Sequence, residues 1–244
     1  MKLGLVQSRS QAESYIKLGA VRVNGRIEQK AGTLVSENDK VSVAGEQYVS
    51  RAALKLASVT EQFHIDFRDK IVLDVGSSTG GFTDYALKHG AAKVIAVDVG
   101  TNQLHPSLHG DTRIELYEKT DIRDVVGAQG KSKKSPQVVV IHDKIDIVVA
   151  DVSFISLQSI LPSIKLLASD RTELYMMCKP QFEAGKQQVN KGIIKNSSVR
   201  RAILKDFEDW LRNSGFIILD KADSQVAGSK GNVERFYKLS IARG

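Results

Sequence analysis

Residues 71–84 read IVLDVGSSTGGFTD, and the parsing of this stretch decides the fold. An apolar run, Ile71 to Val75, drops into a loop carrying Gly76, Gly80 and Gly81, then into a helical pattern. Strand, glycine loop and helix outline a nucleotide-binding turn at the carboxyl edge of a parallel sheet. The dinucleotide fingerprint G-x-G-x-x-G needs its second glycine where backbone approaches a pyrophosphate. Ser78 stands at that place. A phosphate loop is excluded too, because no Gly-Lys-Ser/Thr follows. The spacing D-x-G-x-x-x-G-G makes a wider turn, suited to a ligand without phosphate.

The strand–helix rhythm continues outward from that loop. Apolar runs at 70–76, 93–100, 145–151, 172–178, 215–223 and 235–242 predict strands. Helical patterns lie between them, near 80–89, 156–168 and 198–213. Fully apolar runs such as Ile147 to Ala150 predict a sheet buried on both faces, hence largely parallel and flanked by helices. The last two strands are joined without a helix, which predicts an antiparallel strand at the sheet edge. Residues 127–137, GAQGKSKKSPQ, read as an exposed insertion without chemistry.

S-adenosylmethionine is a phosphate-free ligand that fits such a loop. Its amino-acid end can lie along backbone N–H groups at the helix start, and its ribose needs an acidic acceptor at the end of the next strand. Asp98 closes the next strand and is placed for that role. Asp121, after the following apolar segment, is placed to accept from the adenine amine. The fold class is therefore α/β, a Rossmann-like class I methyltransferase sheet.

Composition narrows the setting. The chain has 244 residues, 42% of them hydrophobic, enough for one large and one small domain. A single cysteine, Cys178, excludes a disulfide framework and points to a reducing compartment. No run approaches the roughly 18 apolar residues of a membrane span, and the first residues lack a signal-peptide core. A soluble, cytoplasmic protein is expected. The net charge of +7 favours a polyanionic partner. Lys186, Lys191, Lys195, Arg200, Arg201 and Lys205 form a run without acidic residues, a face suited to phosphate.

The first 46 residues form a unit of their own. Ser10-Gln11-Ala12-Glu13 has capping-box spacing and predicts a helix ending at Gly19. AVRVNGRI then alternates and turns at Asn24-Gly25, a hairpin signal, and KVSVAG (40–45) adds a strand. Arg9, Lys17, Arg22 and Arg26 are polar positions close together on this unit and candidates for contact with a polyanion. Residues 47–60 read as a linker and leading helix, and 61–244 as the large domain.

Fold alone does not identify what is methylated. Asp151 ends a buried strand at the ligand-bearing edge, and Lys179 ends the next strand beside it. Glu234 precedes the final strand and reaches the same rim, while Lys55 lies on the helix before the first large-domain strand. The VSF after Asp151 is not the Asn/Asp-Pro-Pro-Tyr type of base-amine clamp. Two lysines and two carboxylates suit a weakly acidic ribose hydroxyl. A lysine acts as base only if its pKa falls well below about 10.4, which burial and a second ammonium both favour.

Residues 8–45 resemble the S4 RNA-binding fold, although only MKLGLVQ precedes the pattern where S4 modules usually begin with an extra helix. Residues 48–242 resemble the FtsJ/RrmJ-type ribose 2′-O-methyltransferases, and the whole chain resembles the TlyA family, often labelled haemolysin A. The stretches that carry this are YVSRAALKL, DVGSSTGGFTD, VIAVDVG, DVSFIS, KPQFEAGK and GNVERF. The resemblance implies a Lys-Asp-Lys-Glu tetrad on Lys55, Asp151, Lys179 and Glu234. It implies methyl-donor contacts on Gly76, Ser77, Gly80, Phe82, Asp98, Asp121 and Asp151. It also implies 2′-O-methylation of cytidine in ribosomal RNA or ribosomal subunits, by a monomer without metal or membrane. Glu183 and Lys186, Lys191 and Lys195 would then serve the RNA approach. Other readings are an NAD(P)-linked oxidoreductase, an RNA-binding assembly factor without methyl transfer, and membrane damage.

Overall fold

The computed structural model describes residues 3–6, 8–45, 47–128, 138–184, 193–194, 196–226, 228 and 231–242. The chain opens with α1 (Arg9–Lys17), β1 (Val21–Val23), β2 (Arg26–Ile27) and β3 (Val41–Val43), the strands forming a sheet in the order β2-β1-β3. The N-cap of α1 is Ser8 rather than Ser10. Its backbone is extended, and its Oγ accepts from Gln11 N at 3.1 Å, the interaction that stabilises a helix start. The hairpin turns where expected, with Asn24 and Gly25 both at positive φ, 51° and 82°, as a type I′ turn requires.

The small unit does not bury its core alone. Tyr15 and Val21 pack with Leu54 and Val226 of the large domain. Fully burying each such side chain contributes roughly 1.5–3 kcal/mol. The joint is also hydrogen-bonded: Tyr48 N donates to Tyr15 Oη at 3.2 Å, and Val49 N to Asp84 Oδ2 at 2.9 Å.

The large domain runs through α2 (Arg51–Phe63), β4 (Ile71–Val75), α3 (Gly81–Lys88), β5 (Lys93–Val97), β6 (Ile114–Tyr117), β7 (Val125–Gly127), β8 (Val139–Ile141) and β9 (Ile147–Ala150). It continues with α4 (Leu157–Leu167), β10 (Glu173–Cys178), α5 (Pro180–Glu183), α6 (Ser197–Asn213), β11 (Phe216–Asp223) and β12 (Arg235–Ile241). Seven strands form the central sheet in the order β11-β12-β10-β9-β4-β5-β6, parallel from β10 to β6. One face of β4 carries Leu73 and Val75 into a core shared with α4 and α6. The other carries Val72 into a core with α2 and α3.

Two expectations need correcting. The antiparallel strand is not at the edge: β12 pairs antiparallel with both β10 and β11, and β11 is outermost. Phe236, Tyr237 and Leu239 of β12 are fully buried, whereas β11 alternates between covered and exposed residues. A two-sided apolar strand belongs inside a sheet, and an alternating one tolerates its edge. The strand β6 was not anticipated; it is short, half-buried and interrupted by Glu115. Gly127 closes β7, while 129–137 of the expected insertion lie outside the described residues. Among the described residues no helix is long and apolar enough to cross a membrane.

Candidate active site

The loop after β4 passes so close to the end of β9 that only glycine fits at its first turn. Gly76 has φ of +80°, and a Cβ there would stand 2.8 Å from the carbonyl oxygen of Asp151. Ser78 also has positive φ, 47°. Its N–H donates to Asp98 Oδ2 at 2.8 Å and its Oγ to Gln103 Oε1 at 3.0 Å. Asp98 Oδ1 accepts from Gly100 N at 2.6 Å, so this carboxylate is fixed by backbone while facing the hollow beside it.

That hollow is a cavity of about 370 Å³, bordered by Gly76, Asp98, Asp121, Asp151 and Phe154 among others. Among the described residues its lining holds three carboxylates and no lysine, arginine or histidine. Such a wall repels phosphate and accepts from hydroxyl, amine or cationic groups. It fits S-adenosylmethionine, whose sulfonium is positive and whose ribose and adenine donate hydrogen bonds. Asp121 accepts from Arg123 N at 2.9 Å and from its Nη2 at 2.6 Å, and the guanidinium holds its carboxyl below the usual range.

Three expected donor contacts lie behind the loop rather than on the cavity. Ser77 is buried, Gly80 caps α3, and Phe82 packs in the core with its ring 6.1 Å from that of Phe236. Asp74 lies beneath the loop, fully buried. Its Oδ2 accepts from Thr83 Oγ1 at 2.7 Å, while Oδ1 has no hydrogen-bond partner among the described residues. Burial pushes its carboxyl up to about 7, against the Thr83 hydrogen bond and with help from the Asp151 charge.

Lys55, Asp151, Lys179 and Glu234 come from α2, the end of β9, the end of β10 and the start of β12. Parallel strands deliver their carboxyl ends to one rim, and the reversed β12 delivers its beginning there. The four form two pairs. Lys55 Nζ lies 3.0 Å from Glu234 Oε1, with side chains 9% and 2% exposed. Lys179 Nζ lies 2.5 Å from Asp151 Oδ1 and donates to Ser153 Oγ at 2.7 Å. A more open hollow of about 520 Å³ is bordered by Ser8, Ser50, Arg51, Lys55 and Asp151. Asp151 thus borders both hollows, and Ser8 brings the small unit to the second.

Two residues look different in three dimensions. Phe154 is 91% exposed at the cavity lip with φ of 65°, its ring 5.2 Å from that of Phe182. A bulky residue at positive φ is strained; the sequence marks it only as an aromatic after Asp151. Glu183, expected on the RNA approach, turns inward instead. It accepts from Ser156 Oγ at 2.5 Å and Leu157 N at 2.7 Å, welding the turn after Lys179 to the loop after Asp151. Burial pushes its carboxyl up despite those bonds.

On the small unit Arg9, Lys17, Arg22 and Arg26 are exposed. Arg9 pairs with Glu13 at 3.3 Å. Arg22 sits opposite Ile27 and Arg26 opposite Val23, so the two arginines leave opposite faces of the hairpin. Lys186, Lys191 and Lys195 lie outside the described residues.

A mostly parallel sheet with an acidic cavity at its carboxyl edge is the arrangement of S-adenosylmethionine-dependent methyltransferases, and the family match below assigns the chain to them. A methyltransferase of that kind from Aquifex aeolicus shares the fold, with a TM-score of 0.51 at 17% identity over 79% of this chain and 95% of its own. Residues 48–240 match the FtsJ-like methyltransferase profile and residues 1–41 the S4 domain, and the chain belongs to the FtsJ-like methyltransferase family. It is 36% identical to the 16S/23S rRNA (cytidine-2′-O)-methyltransferase TlyA of Mycobacterium tuberculosis, over 98% of this chain and 87% of that one. It is 38% identical to Hemolysin A of Brachyspira hyodysenteriae, over 95% and 93%. A crystal structure of a candidate hemolysin from Lactococcus lactis superposes with a TM-score of 0.72 at 37% identity, over 80% of this chain and 89% of that one.

Proposed function

We propose that the chain methylates the ribose 2′-oxygen of a cytidine in ribosomal RNA, with Lys55, Asp151, Lys179 and Glu234 carrying the chemistry. The observation behind this is the pair of lysine–carboxylate contacts meeting at one rim, with Asp151 bordering both the acidic cavity and the open hollow. The names of the TlyA relatives support the substrate, and the S4 match supports RNA as its class.

Gly76, Asp98 and Asp121 would hold S-adenosylmethionine, which supplies an electrophilic methyl group on a positive sulfur. A ribose enters by the open hollow. Lys179, already oriented by Asp151 and Ser153, holds the 2′-hydroxyl and receives its proton as the oxygen attacks. Asp151, which borders both hollows, balances the charge that Lys179 gains. Glu234 fixes Lys55 on the opposite wall, where its ammonium stabilises negative charge growing on the oxygen. The exposed Phe154 ring offers a stacking face for the base that leaves its helix. Arg9, Lys17, Arg22 and Arg26 hold phosphate on the small unit, and Lys186, Lys191 and Lys195 extend that grip from the large domain.

The test is incubation of ribosomal subunits with the protein and methyl-labelled donor, followed by nuclease mapping. Label on a cytidine 2′-oxygen is expected. Label confined to bases, or no transfer, overturns the reading.

A further inference from the structure

Arg200 belongs to the basic run that the sequence assigns to phosphate, yet its guanidinium is already engaged. It comes from the first turn of α6, and its Nη2 donates to Asp223 Oδ1 at 2.7 Å and to the carbonyl of Val233 at 3.1 Å. Its Nε donates to the same carbonyl at 3.3 Å. Arg235 Nε donates to that same Asp223 oxygen at 2.7 Å. Hydrogen bonds from Arg235 and Arg200 outweigh burial and hold the Asp223 carboxyl below the usual range.

Val233 and Arg235 are the two chain neighbours of Glu234. Arg200 grips the carbonyl before it, Asp223 grips the side chain after it, and Ser224 N donates to Glu234 O at 2.9 Å. One residue further back, Asn232 Oδ1 accepts from Ile194 N at 3.2 Å. The carbonyls of Val233 and Glu234 and the side chains of Asn232 and Arg235 are therefore tied, to α6, to the segment that precedes it and to the end of β11. Glu234 itself is 2% exposed, with Oε1 on Lys55 and Oε2 without a hydrogen-bond partner among the described residues. Its carboxylate is held by Lys55 and by the backbone that carries it, so a backbone shift would disturb the contact with Lys55.

We propose that Arg200 and Asp223 are positioning residues for Glu234, and through it for Lys55, rather than contacts to RNA. The inference rests on the assignment of Glu234 to the reaction. A guanidinium suits the task because its planar fork reaches a carboxylate and a carbonyl at once. An ammonium in its place can hold only one of them well.

The experiment is steady-state methyl transfer to ribosomal subunits by the full chain and by Arg200→Ala, Arg200→Lys, Asp223→Asn and Glu234→Gln. Donor affinity and melting temperature are measured on each. Expected for Arg200→Ala and Asp223→Asn is a kcat lower by on the order of tenfold to a hundredfold, the range a small misplacement costs. KM for RNA, donor affinity and the salt dependence of RNA binding stay within about twofold of the parent. Arg200→Lys recovers part of the rate, and adding Arg200→Ala to Glu234→Gln costs nothing further, since residues acting as a unit are not additive. A raised KM with a salt slope lower by about one and an unchanged kcat would make Arg200 an RNA contact and overturn the proposal. Full activity of Arg200→Ala and Arg200→Lys beside an inactive Glu234→Gln overturns it too. Full activity of Glu234→Gln instead removes Glu234 from the reaction, a failure of the reading on which the proposal rests.

Discussion

Gly76 and Asp151 approach so closely that a methyl group on the first would stand 2.8 Å from the carbonyl oxygen of the second. The donor loop and the strand that supplies the proposed general-base partner are thus in backbone contact. Replacing Gly76 with alanine adds that collision to a φ of +80°, a region costly for residues with a Cβ. Gly76→Ala is expected to lose donor binding, read by calorimetry, by at least about tenfold, with loss of transfer following. Donor binding at parental strength would mean the loop yields without cost.

Lys179→Ala removes the proposed proton acceptor but nothing that borders the cavity. Its kcat is expected to fall by roughly a hundredfold to ten-thousandfold, the span of general-base catalysis, with donor affinity nearly intact. Asp151→Asn touches both hollows and is expected to damage rate and donor binding together. Rapid-quench single-turnover assays beside donor titration separate the two. Full activity of Lys179→Ala removes it as base.

Asp74 gives a pH prediction opposite in sign to that of a salt-bridged acid. Its folded carboxyl keeps a proton up to about 7, while an unfolded aspartate releases it near about 3.9. Between these values the folded state binds more protons, so stability falls as pH rises from about 4 through about 7. An asparagine at this position would keep the Thr83 hydrogen bond without that loss. The melting temperature of Asp74→Asn relative to the parent is expected to climb by several degrees from pH 5 to pH 8. A difference independent of pH would show Asp74 charged in the fold.

Neutralising Lys17, Arg22 and Arg26 together tests the small unit. All three are exposed, so stability is expected to change by no more than about 0.5 kcal/mol each. RNA affinity should fall, and the log–log salt slope should shrink by about 0.7–0.9 for each phosphate that is no longer neutralised. An unchanged slope, measured by filter binding across salt, would place the RNA elsewhere.

Much of the fold was legible because local rules agreed. IVLDVGSSTGGFTD forms the strand, loop and helix its pattern dictates, and Asn24-Gly25 turns as its chemistry requires. The errors share a cause. Ser8 and Ser10 both offer capping spacing, and only the path of the incoming chain decides between them. The place of β12 depends on which strand the rest of the sheet leaves unpaired, a long-range matter that no window of sequence records. The cavity side of the site was legible in Asp98 and Asp121, which follow strands in order. Ser77, Gly80 and Phe82 share the loop but do not line the cavity; Gly80 lies against Leu104 and Leu108, and the Phe82 ring packs toward Phe236 of β12. Glu183 adjoins the basic run and Arg200 belongs to it, and only tertiary contacts reveal that both are engaged within the fold.

The Lys55–Glu234 pair joins positions 179 residues apart. The chain between them contains every residue named for the donor cavity, from Val75 to Ile160. The donor cavity and the Glu234 carboxylate are thus encoded in separate stretches of the chain, and only β12, docked beside β10, brings Glu234 to Lys55. The proposed reaction thereby depends on β12 holding its place between β10 and β11, although no residue of β12 lines the donor cavity.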